Sequence, residues 1–187
     1  MKIAVIGAGA MGSIYASFLS KNNNEVLVID IWEEHLEAIK NNGLRVSGFS
    51  GDNIVKNIDV SSNIEDARGY ELFIIATKAS GVGTVASKLS EITNDDSLIL
   101  TIQNGLGAGE RIAKYMPTNN ILLGVAQGFG AAMKGPGHAH HNNMSMIRIG
   151  EMNGGCLLYT SQSPRDISRS LMPSSALKKG GGGGGGG

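Results

Sequence analysis

The sequence predicts an α/β fold in which helices cover both faces of a doubly wound, mostly parallel sheet. Short, continuous apolar runs, which a strand buried on both faces requires, alternate with segments whose apolar residues recur at helical spacing. This alternation extends from residue 2 to about residue 115 of the 187-residue chain. A chain of this length typically forms one domain, with or without an appendage.

The first half of the alternation contains two strand and helix pairs. Residues 2–6 (KIAVI) predict the first strand, and residues 11–19 carry an apolar stripe that predicts the helix after it. Residues 25–30 (EVLVID) predict the second strand, and residues 33–41 predict its helix. Residues 44–61 are less regular, and their β-branched pieces indicate short strands around a turn.

The second half repeats the pattern. Residues 72–76 (LFIIA) and 98–102 (LILTI) predict two more buried strands. Helices are predicted over residues 82–92 and 108–115. The segments between residues 121 and 150 indicate short strands that close the sheet.

The character of the sequence changes after Gly155. Residues 156–179 contain six serines and no sustained period, and a run of eight glycines follows. Such a segment offers no face that could be buried. We therefore expect one folded domain over residues 1–155 and a disordered, non-native tail over residues 156–187.

Composition limits the partners of this chain. Its 16 basic and 16 acidic residues give a net charge of zero, so we expect neither nucleic acid nor an anionic membrane as a partner. No stretch reaches the roughly 18 apolar residues that span a bilayer, and no signal-peptide pattern opens the chain. The expected partner is a small molecule, and the expected location is cytoplasmic.

A G-x-G-x-x-G motif lies between the first predicted strand and its helix. In Rossmann-type dinucleotide-binding domains, the first glycine permits a tight turn, the second lets the pyrophosphate approach the backbone, and the third lets helix and strand pack closely. The free N–H groups and positive dipole at the helix N-terminus then face the pyrophosphate. The predicted cofactor-binding residues of this turn are Gly7, Ala8, Gly9, Ala10, Met11 and Gly12.

Asp30 ends the second predicted strand, 18 positions beyond Gly12. An acidic residue at this place hydrogen-bonds the adenosine ribose of NAD and repels the 2′-phosphate of NADP. With Ile31 beside it, Asp30 makes NAD(H) a possible cofactor. Asp30 could instead cap the next helix, and Lys40 or Arg45 could reach a phosphate, so the preference stays open.

Four stretches of the sequence resemble the ketopantoate reductase (2-dehydropantoate 2-reductase) family. They are KIAVIGAGAMGSIYA at the N-terminus, T-K-A at residues 77–79, I-Q-N-G-L-G at residues 102–107, and G-P-G-H-A-H-H ahead of IRIGE. Many dehydrogenases share the glycine motif, so T-K-A and Q-N-G-L-G discriminate best. Both follow strands at the carboxyl edge of the sheet, where ligands bind in such folds.

The resemblance implies an oxidoreductase that uses NADP(H) to reduce a small 2-oxo acid, ketopantoate, to pantoate in pantothenate biosynthesis. Hydride delivery to a ketone leaves negative charge on its oxygen, so the site needs hydrogen-bond donors and a proton source. We predict that Asn104 and Lys78 are catalytic residues that also contact the cofactor. The resemblance assigns Asn104 to substrate binding at the reaction centre, and Lys78 can place a cation near the nicotinamide ribose or the substrate carboxylate. Without the resemblance, these two residues could equally be a turn asparagine and a solvated lysine.

The sequence departs from the family pattern in two respects. Family members carry a basic residue soon after the second strand, whereas this chain has Asp30, Ile31 and Trp32. The family's general-acid lysine and substrate-binding glutamate lie in a C-terminal helical domain, which we expect to be missing here. The chain is therefore expected to be inactive alone.

The histidines raise the question of a metal site. On a strand, His138 and His140 share one face and His141 takes the other, and no cysteine or carboxylate pattern completes a ligand set, so no metal is predicted. His35, on the second helix, is expected to be solvated.

Two other functions remain open. A different two-domain hydroxyacid dehydrogenase would share the glycine motif, although Q-N-G-L-G argues against it. A module that binds NAD(P) as a signal and performs no chemistry would show the same features over residues 1–155.

Overall fold

The computed structural model describes residues 1–103, 107–153 and 157–161, the last of these as a backbone strand only. The strands are β1 (Lys2–Ile6), β2 (Glu25–Ile29), β3 (Leu44–Gly48), β4 (Asn53–Val55), β5 (Asp59–Ser61), β6 (Leu72–Ile75), β7 (Leu98–Thr101), β8 (Ile121–Gln127), β9 (Gly130–Gly135), β10 (His138–Asn143), β11 (Met146–Glu151) and β12 (Leu157–Ser161). The helices are α1 (Ala10–Ser20), α2 (Glu33–Asn42), α3 (Val82–Leu89) and α4 (Ala108–Ile112), with 3-10 helices at Ile64–Ala67, Ala79–Gly81 and Thr118–Asn120. No helix in these ranges is long and apolar enough to cross a membrane.

The main sheet has eight strands in the order β12-β11-β8-β7-β6-β1-β2-β5. Its strands β5, β2, β1, β6, β7 and β8 run parallel, and β11 and β12 are antiparallel additions. The predicted doubly wound, mostly parallel sheet is confirmed. The chain moves from β1 to β2 on one side and later returns to β6 on the other. The carboxyl end of β1 is therefore the switch point, where such sheets bind ligands.

Each face of the main sheet has its own apolar core. Ile3 and Val5 of β1 face the core that contains α1 and α2. Ala4 and Ile6 face the opposite core, which contains α3 and α4. The last four residues of β1 are all buried, because a parallel strand in the middle of the sheet is covered from both sides. This two-sided burial explains the continuous apolar runs in the sequence.

A second sheet of four strands, in the order β4-β3-β10-β9, covers α1. The prediction that residues 121–150 close the main sheet is right for β8 and β11. It is wrong for β9 and β10, which pair with each other and, through β10, with β3. The reason lies in α1, whose residues from Gly12 to Ser20 are all buried. A helix that is buried on all sides needs a covering layer on the side away from the main sheet.

Five residues of the expected tail differ from the prediction of disorder. Leu157–Ser161 forms β12, which pairs antiparallel with β11 at the edge of the main sheet. The segment reads LLYTS, in which tyrosine and threonine are residue types enriched in strands. A strand here satisfies backbone groups of β11 that would otherwise form an open edge. Residues 162–187 lie outside the described residues, so disorder there stays a prediction.

Deletion of residues 162–187 should leave the thermal midpoint unchanged, because their sequence offers no face to bury. Deletion of residues 156–187 also removes β12, and we expect it to lower the midpoint by about 2–4 °C. Differential scanning calorimetry of the two shortened chains measures the difference. Equal midpoints would mean that β12 contributes nothing to the stability of the sheet.

Candidate functional site

The turn between β1 and α1 approaches the end of β6 too closely for a side chain at Gly7. Gly7 has a φ of +101°, and a Cβ there would lie 2.8 Å from the backbone nitrogen of Thr77 and 2.9 Å from the carbonyl carbon of Ala76. Its N–H donates to the carbonyl oxygen of Ile29 over 2.7 Å. This residue therefore ties the ends of β1, β2 and β6 together at the switch point.

Gly12 is closely packed, whereas Gly9 faces open space. A Cβ on Gly12 would lie 1.9 Å from the carbonyl oxygen of Gly7, so α1 can pack against the turn only when this position is glycine. Among the described residues other than its two chain neighbours, none would have a heavy atom within 4 Å of a Cβ on Gly9. The backbone of Gly9 is thus exposed to open space, where a ligand could approach it.

The N-terminus of α1 fits an anion. Its first turn contains Ala10, Met11 and Gly12, whose N–H groups precede the helical hydrogen-bond ladder. No side chain caps this end, and the first turn carries no acidic residue. The positive end of an 11-residue helix therefore faces the open space beside Gly9. A dinucleotide pyrophosphate has the charge and the acceptor oxygens to fill such a place.

Asp30 follows β2 and lies against the glycine turn. One carboxylate oxygen accepts a hydrogen bond from the Ala8 N–H at 2.5 Å, and the other accepts one from the Trp32 N–H at 2.9 Å. Helix α2 begins at Glu33 without a side-chain cap, so Asp30 does not play the capping role that the sequence left open. Its half-buried carboxylate instead joins the turn to the end of β2.

In the part of the chain that the structure describes, no cation pairs with Asp30 at the end of β2. Ile31 is 91% exposed beside it. Arg45 lies on β3, and its guanidinium binds Asp52 at 2.6 Å and 2.9 Å. This contact lowers the pKa of the Asp52 carboxyl through the hydrogen bond to Arg45. The end of β2 therefore offers an acidic and an apolar side chain to a ligand.

The T-K-A segment follows β6 at the same edge. Lys78 is exposed and precedes the 3-10 helix Ala79–Gly81. The Gln103 side chain donates to the carbonyl oxygens of Thr77 at 2.5 Å and Ile75 at 3.3 Å. Arg111 donates to the carbonyl oxygen of Ala79 at 3.2 Å.

Gln103 and Arg111 hold this segment in place. Gln103 belongs to the Q-N-G-L-G stretch, but neither residue is among the predicted site residues. The position of Gln103, directly after a buried strand at the carboxyl edge, was the available signal.

The structure brings most of the predicted site residues together. The ends of β1, β2 and β6 are level, since Ile6 pairs with both Ile29 and Ile75. The glycine turn, Asp30 and Lys78 consequently lie along one edge of the sheet. Asn104 lies outside the described residues, and its place in the site stays a prediction.

The histidines have other partners. His138 and His140 both contact the hydroxyl of Ser47, at 2.7 Å and 3.1 Å. His141 is buried against Phe129, and this burial lowers the pKa of its imidazole. Among the residues that the structure describes, no three His, Cys, Asp or Glu side chains group closely enough to hold a metal ion.

His35 is fully buried, so the expectation that it is solvated is wrong. Its Nδ1 accepts a hydrogen bond from the Gly137 N–H at 2.8 Å. The sequence could not show this contact, because it depends on the second sheet covering α2.

Comparison with known proteins gives one consistent result. The family model described as ketopantoate reductase PanE/ApbA matches residues 3–154. A 2-dehydropantoate 2-reductase from Streptococcus pyogenes is 33% identical over 153 residues, which are 82% of this chain and 49% of that protein. The chain spans about half the length of the curated relatives it matches.

Two solved structures are also similar. The ternary structure of D-mandelate dehydrogenase with NADH and anilino(oxo)acetate aligns with a TM-score of 0.69 and 32% identity, over 80% of this chain and 47% of that one. The crystal structure of 2-dehydropantoate 2-reductase from Geobacter metallireducens aligns with a TM-score of 0.78 and 26% identity, over 91% of this chain and 55% of that one.

Substitution of the two helix-start glycines should have different effects on stability. Gly12→Ala places a methyl group against the Gly7 carbonyl, and we expect it to lower the free energy of unfolding by about 1–3 kcal/mol. Gly9→Ala meets open space and loses only the N-cap preference for glycine over alanine, so we expect a loss below about 1 kcal/mol. Urea titration followed by circular dichroism compares the two variants. Equal losses would contradict the packing described for Gly12.

Proposed function

Because the chain belongs to the ketopantoate reductase (PanE/ApbA) family, we propose that it provides the dinucleotide-binding part of an enzyme that reduces a small 2-oxo acid. Ketopantoate is the proposed substrate, since the curated relatives are named 2-dehydropantoate 2-reductase. The observation that carries the proposal is the turn after β1. It leaves the backbone of Gly9 open at the positive end of α1 and admits no side chain at Gly7 or Gly12.

Different residues at the sheet edge would bind different parts of the dinucleotide. The N–H groups of Ala10 and Met11 would hold the pyrophosphate, because they are oriented donors at a helix N-terminus. Asp30 would accept hydrogen bonds from the adenosine ribose, since its oxygens can take further donors beside the two N–H groups they already bind. A reduced nicotinamide, when bound, supplies the hydride.

The reaction centre needs donors near the ketone oxygen. We assign this role to the Asn104 amide, and we assign to Lys78 a contact with the nicotinamide ribose or the substrate carboxylate. Lys78 is exposed at the edge where the glycine turn lies, so it can reach a bound ligand. The family resemblance places the proton donor in a second domain. We therefore expect this chain to bind the cofactor even where it does not catalyse the reaction. Its proposed location is the cytoplasm, where it would act on dissolved small molecules.

NADH is the cofactor that the described edge favours. The Asp30 carboxylate would repel a 2′-phosphate, and the exposed Ile31 offers no compensating charge. The similar structure of D-mandelate dehydrogenase holds NADH. These observations also support a second candidate function, in which the chain serves an NAD-dependent dehydrogenase for a 2-hydroxy acid other than pantoate.

Cofactor preference should change with two substitutions at this edge. Asp30→Asn combined with Ile31→Arg removes the repulsive charge and adds a phosphate donor, while an amide oxygen remains for the Ala8 N–H. We expect the NADPH-to-NADH affinity ratio to rise roughly 10- to 100-fold, as measured by fluorescence titration of each cofactor.

Glu37→Gln is the matched control, because it removes one exposed carboxylate farther along α2. The ratio should stay unchanged in this variant. An unchanged ratio in the double variant would refute the assignment of Asp30 to the ribose.

Turnover should require more than the present chain. We expect the chain to bind a nicotinamide cofactor and to reduce ketopantoate barely above background, since positioned acid catalysis alone contributes about 10²- to 10⁴-fold. Fusion to the C-terminal domain of a close relative should restore turnover. Stopped-flow measurement of NADH oxidation follows hydride transfer in the fusion.

In that fusion, Asn104→Ala should lower the rate constant for hydride transfer about 100-fold, as loss of a donor to a developing oxyanion does. Asn143→Ala, at an exposed position of β10, is the control and should leave the rate constant unchanged. Robust ketopantoate reduction by the present chain alone would contradict this division of roles.

A further inference from the structure

The buried ring of His35 connects two parts of the chain that are distant in sequence. Its Nδ1 accepts a hydrogen bond from the N–H of Gly137, in the turn between β9 and β10, over 2.8 Å. Its Nε2 lies 3.4 Å from the hydroxyl oxygen of Ser13 on α1. Ser13 in turn donates to the carbonyl oxygen of Ala8 over 2.9 Å. The contacts run from the second sheet, through α2 and α1, to the glycine turn.

The direction of these hydrogen bonds fixes the tautomer of His35. A ring nitrogen that accepts from an N–H carries no proton, so the neutral ring has its proton on Nε2. That proton faces Ser13, whose own hydrogen is used in the bond to Ala8. Burial lowers the pKa of the His35 imidazole. The charge of Asp30 and the backbone at Ala8 raise this pKa, but their effect is smaller than that of burial. Of the residues that the structure describes, Asp30 is the group whose charge acts on the ring.

The carbonyl of Ala8 and the N–H of Gly9 belong to one peptide group. Because a trans peptide is planar, these two bonds point in opposite directions. With the carbonyl held towards Ser13, the Gly9 N–H points away from Ser13. Glycine has little resistance to rotation of the adjoining peptide, and a flipped peptide would present its carbonyl oxygen in place of the N–H. An oxygen there would repel a pyrophosphate.

We propose that His35 is a positioning residue for the dinucleotide site, which prevents the Ala8–Gly9 peptide from flipping by holding Ser13 against the Ala8 carbonyl. The turn between β9 and β10 anchors the ring at Gly137. This inference rests on the proposed function, because it concerns the affinity of the same site for a dinucleotide. It adds a role for a residue that does not touch the ligand.

Ser13→Ala tests the central link of the chain of contacts. The substitution removes the hydroxyl and leaves the bond between His35 and Gly137 in place. We expect NADH affinity to fall roughly 3- to 10-fold, the effect of one lost hydrogen bond. Ser17→Ala is the matched control, since Ser17 lies one turn along α1, is fully buried, and its hydroxyl has no hydrogen-bond partner among the described residues. The NADH affinity of the Ser17→Ala variant should stay within about twofold of that of the original chain.

His35→Asn tests whether the ring acts through Ser13. Asparagine can place an acceptor near Gly137 but does not reach Ser13. We expect an affinity loss similar to that of Ser13→Ala, and the double variant should be no weaker than Ser13→Ala alone, because both substitutions break the same connection. Additive losses would overturn the proposal. So would equal effects of Ser13→Ala and Ser17→Ala on affinity.

A readout without ligand separates this inference from the proposed function. The hydrogen-bonded N–H groups on either side of this peptide are those of residues 8 and 13. Their protection against amide hydrogen exchange, measured by NMR, should be roughly 3- to 10-fold lower in Ser13→Ala and His35→Asn and unchanged in Ser17→Ala. Far-UV circular dichroism reports whether each variant is folded.

If the original chain binds neither NADH nor NADPH, the proposed function fails, and the exchange rates still decide the role of His35. Exchange in Ser13→Ala that equals exchange in Ser17→Ala would refute it.

Discussion

The close approach between Gly12 and the carbonyl of Gly7 is the constraint on which the rest of this site depends. A Cβ on Gly12 would lie 1.9 Å from that oxygen, so α1 can start this near to β1 only with glycine at this position. The approach directs the N-terminus of α1 to the carboxyl end of β1, where the strand order reverses. It also explains why α1 is buried on all sides and needs the second sheet as a cover. This contact between two backbone segments therefore determines both where a ligand could bind and why a second sheet covers α1.

Asp30 has a structural role, and we propose that it also recognises the cofactor. Its carboxylate binds the N–H groups of Ala8 and Trp32, and so it joins the glycine turn to the residues after β2. A carboxylate has room for about four hydrogen bonds, so these contacts leave acceptor capacity for a ribose. The same charge would disfavour a phosphate at that place. Substitution of Asp30 must therefore be read with its structural role in mind, which is why an amide is the more informative replacement.

The elements of the main sheet could be predicted from the sequence because their patterns are local. Continuous apolar runs mark β1, β6 and β7, and the glycine spacing marks the turn after β1. The second sheet could not be predicted in this way, because β10 pairs with β3 across about ninety residues and no local pattern encodes that pairing. The burial of His35 follows from this sheet and was missed for the same reason. Residues 157–161 were missed because a short edge strand depends on its neighbour more than on its own period.

Recognition by backbone and recognition by side chains have different consequences in this fold. The glycine turn and the first amides of α1 offer donors that any residue supplies, provided that the turn keeps its shape. Backbone donors of this kind distinguish a pyrophosphate from other groups, but they do not distinguish NADH from NADPH or one 2-oxo acid from another. We propose that this discrimination comes from side chains at the strand ends, such as Asp30, Ile31 and Lys78. Consistent with this, two structures similar to this chain have different names, one a D-mandelate dehydrogenase and the other a 2-dehydropantoate 2-reductase.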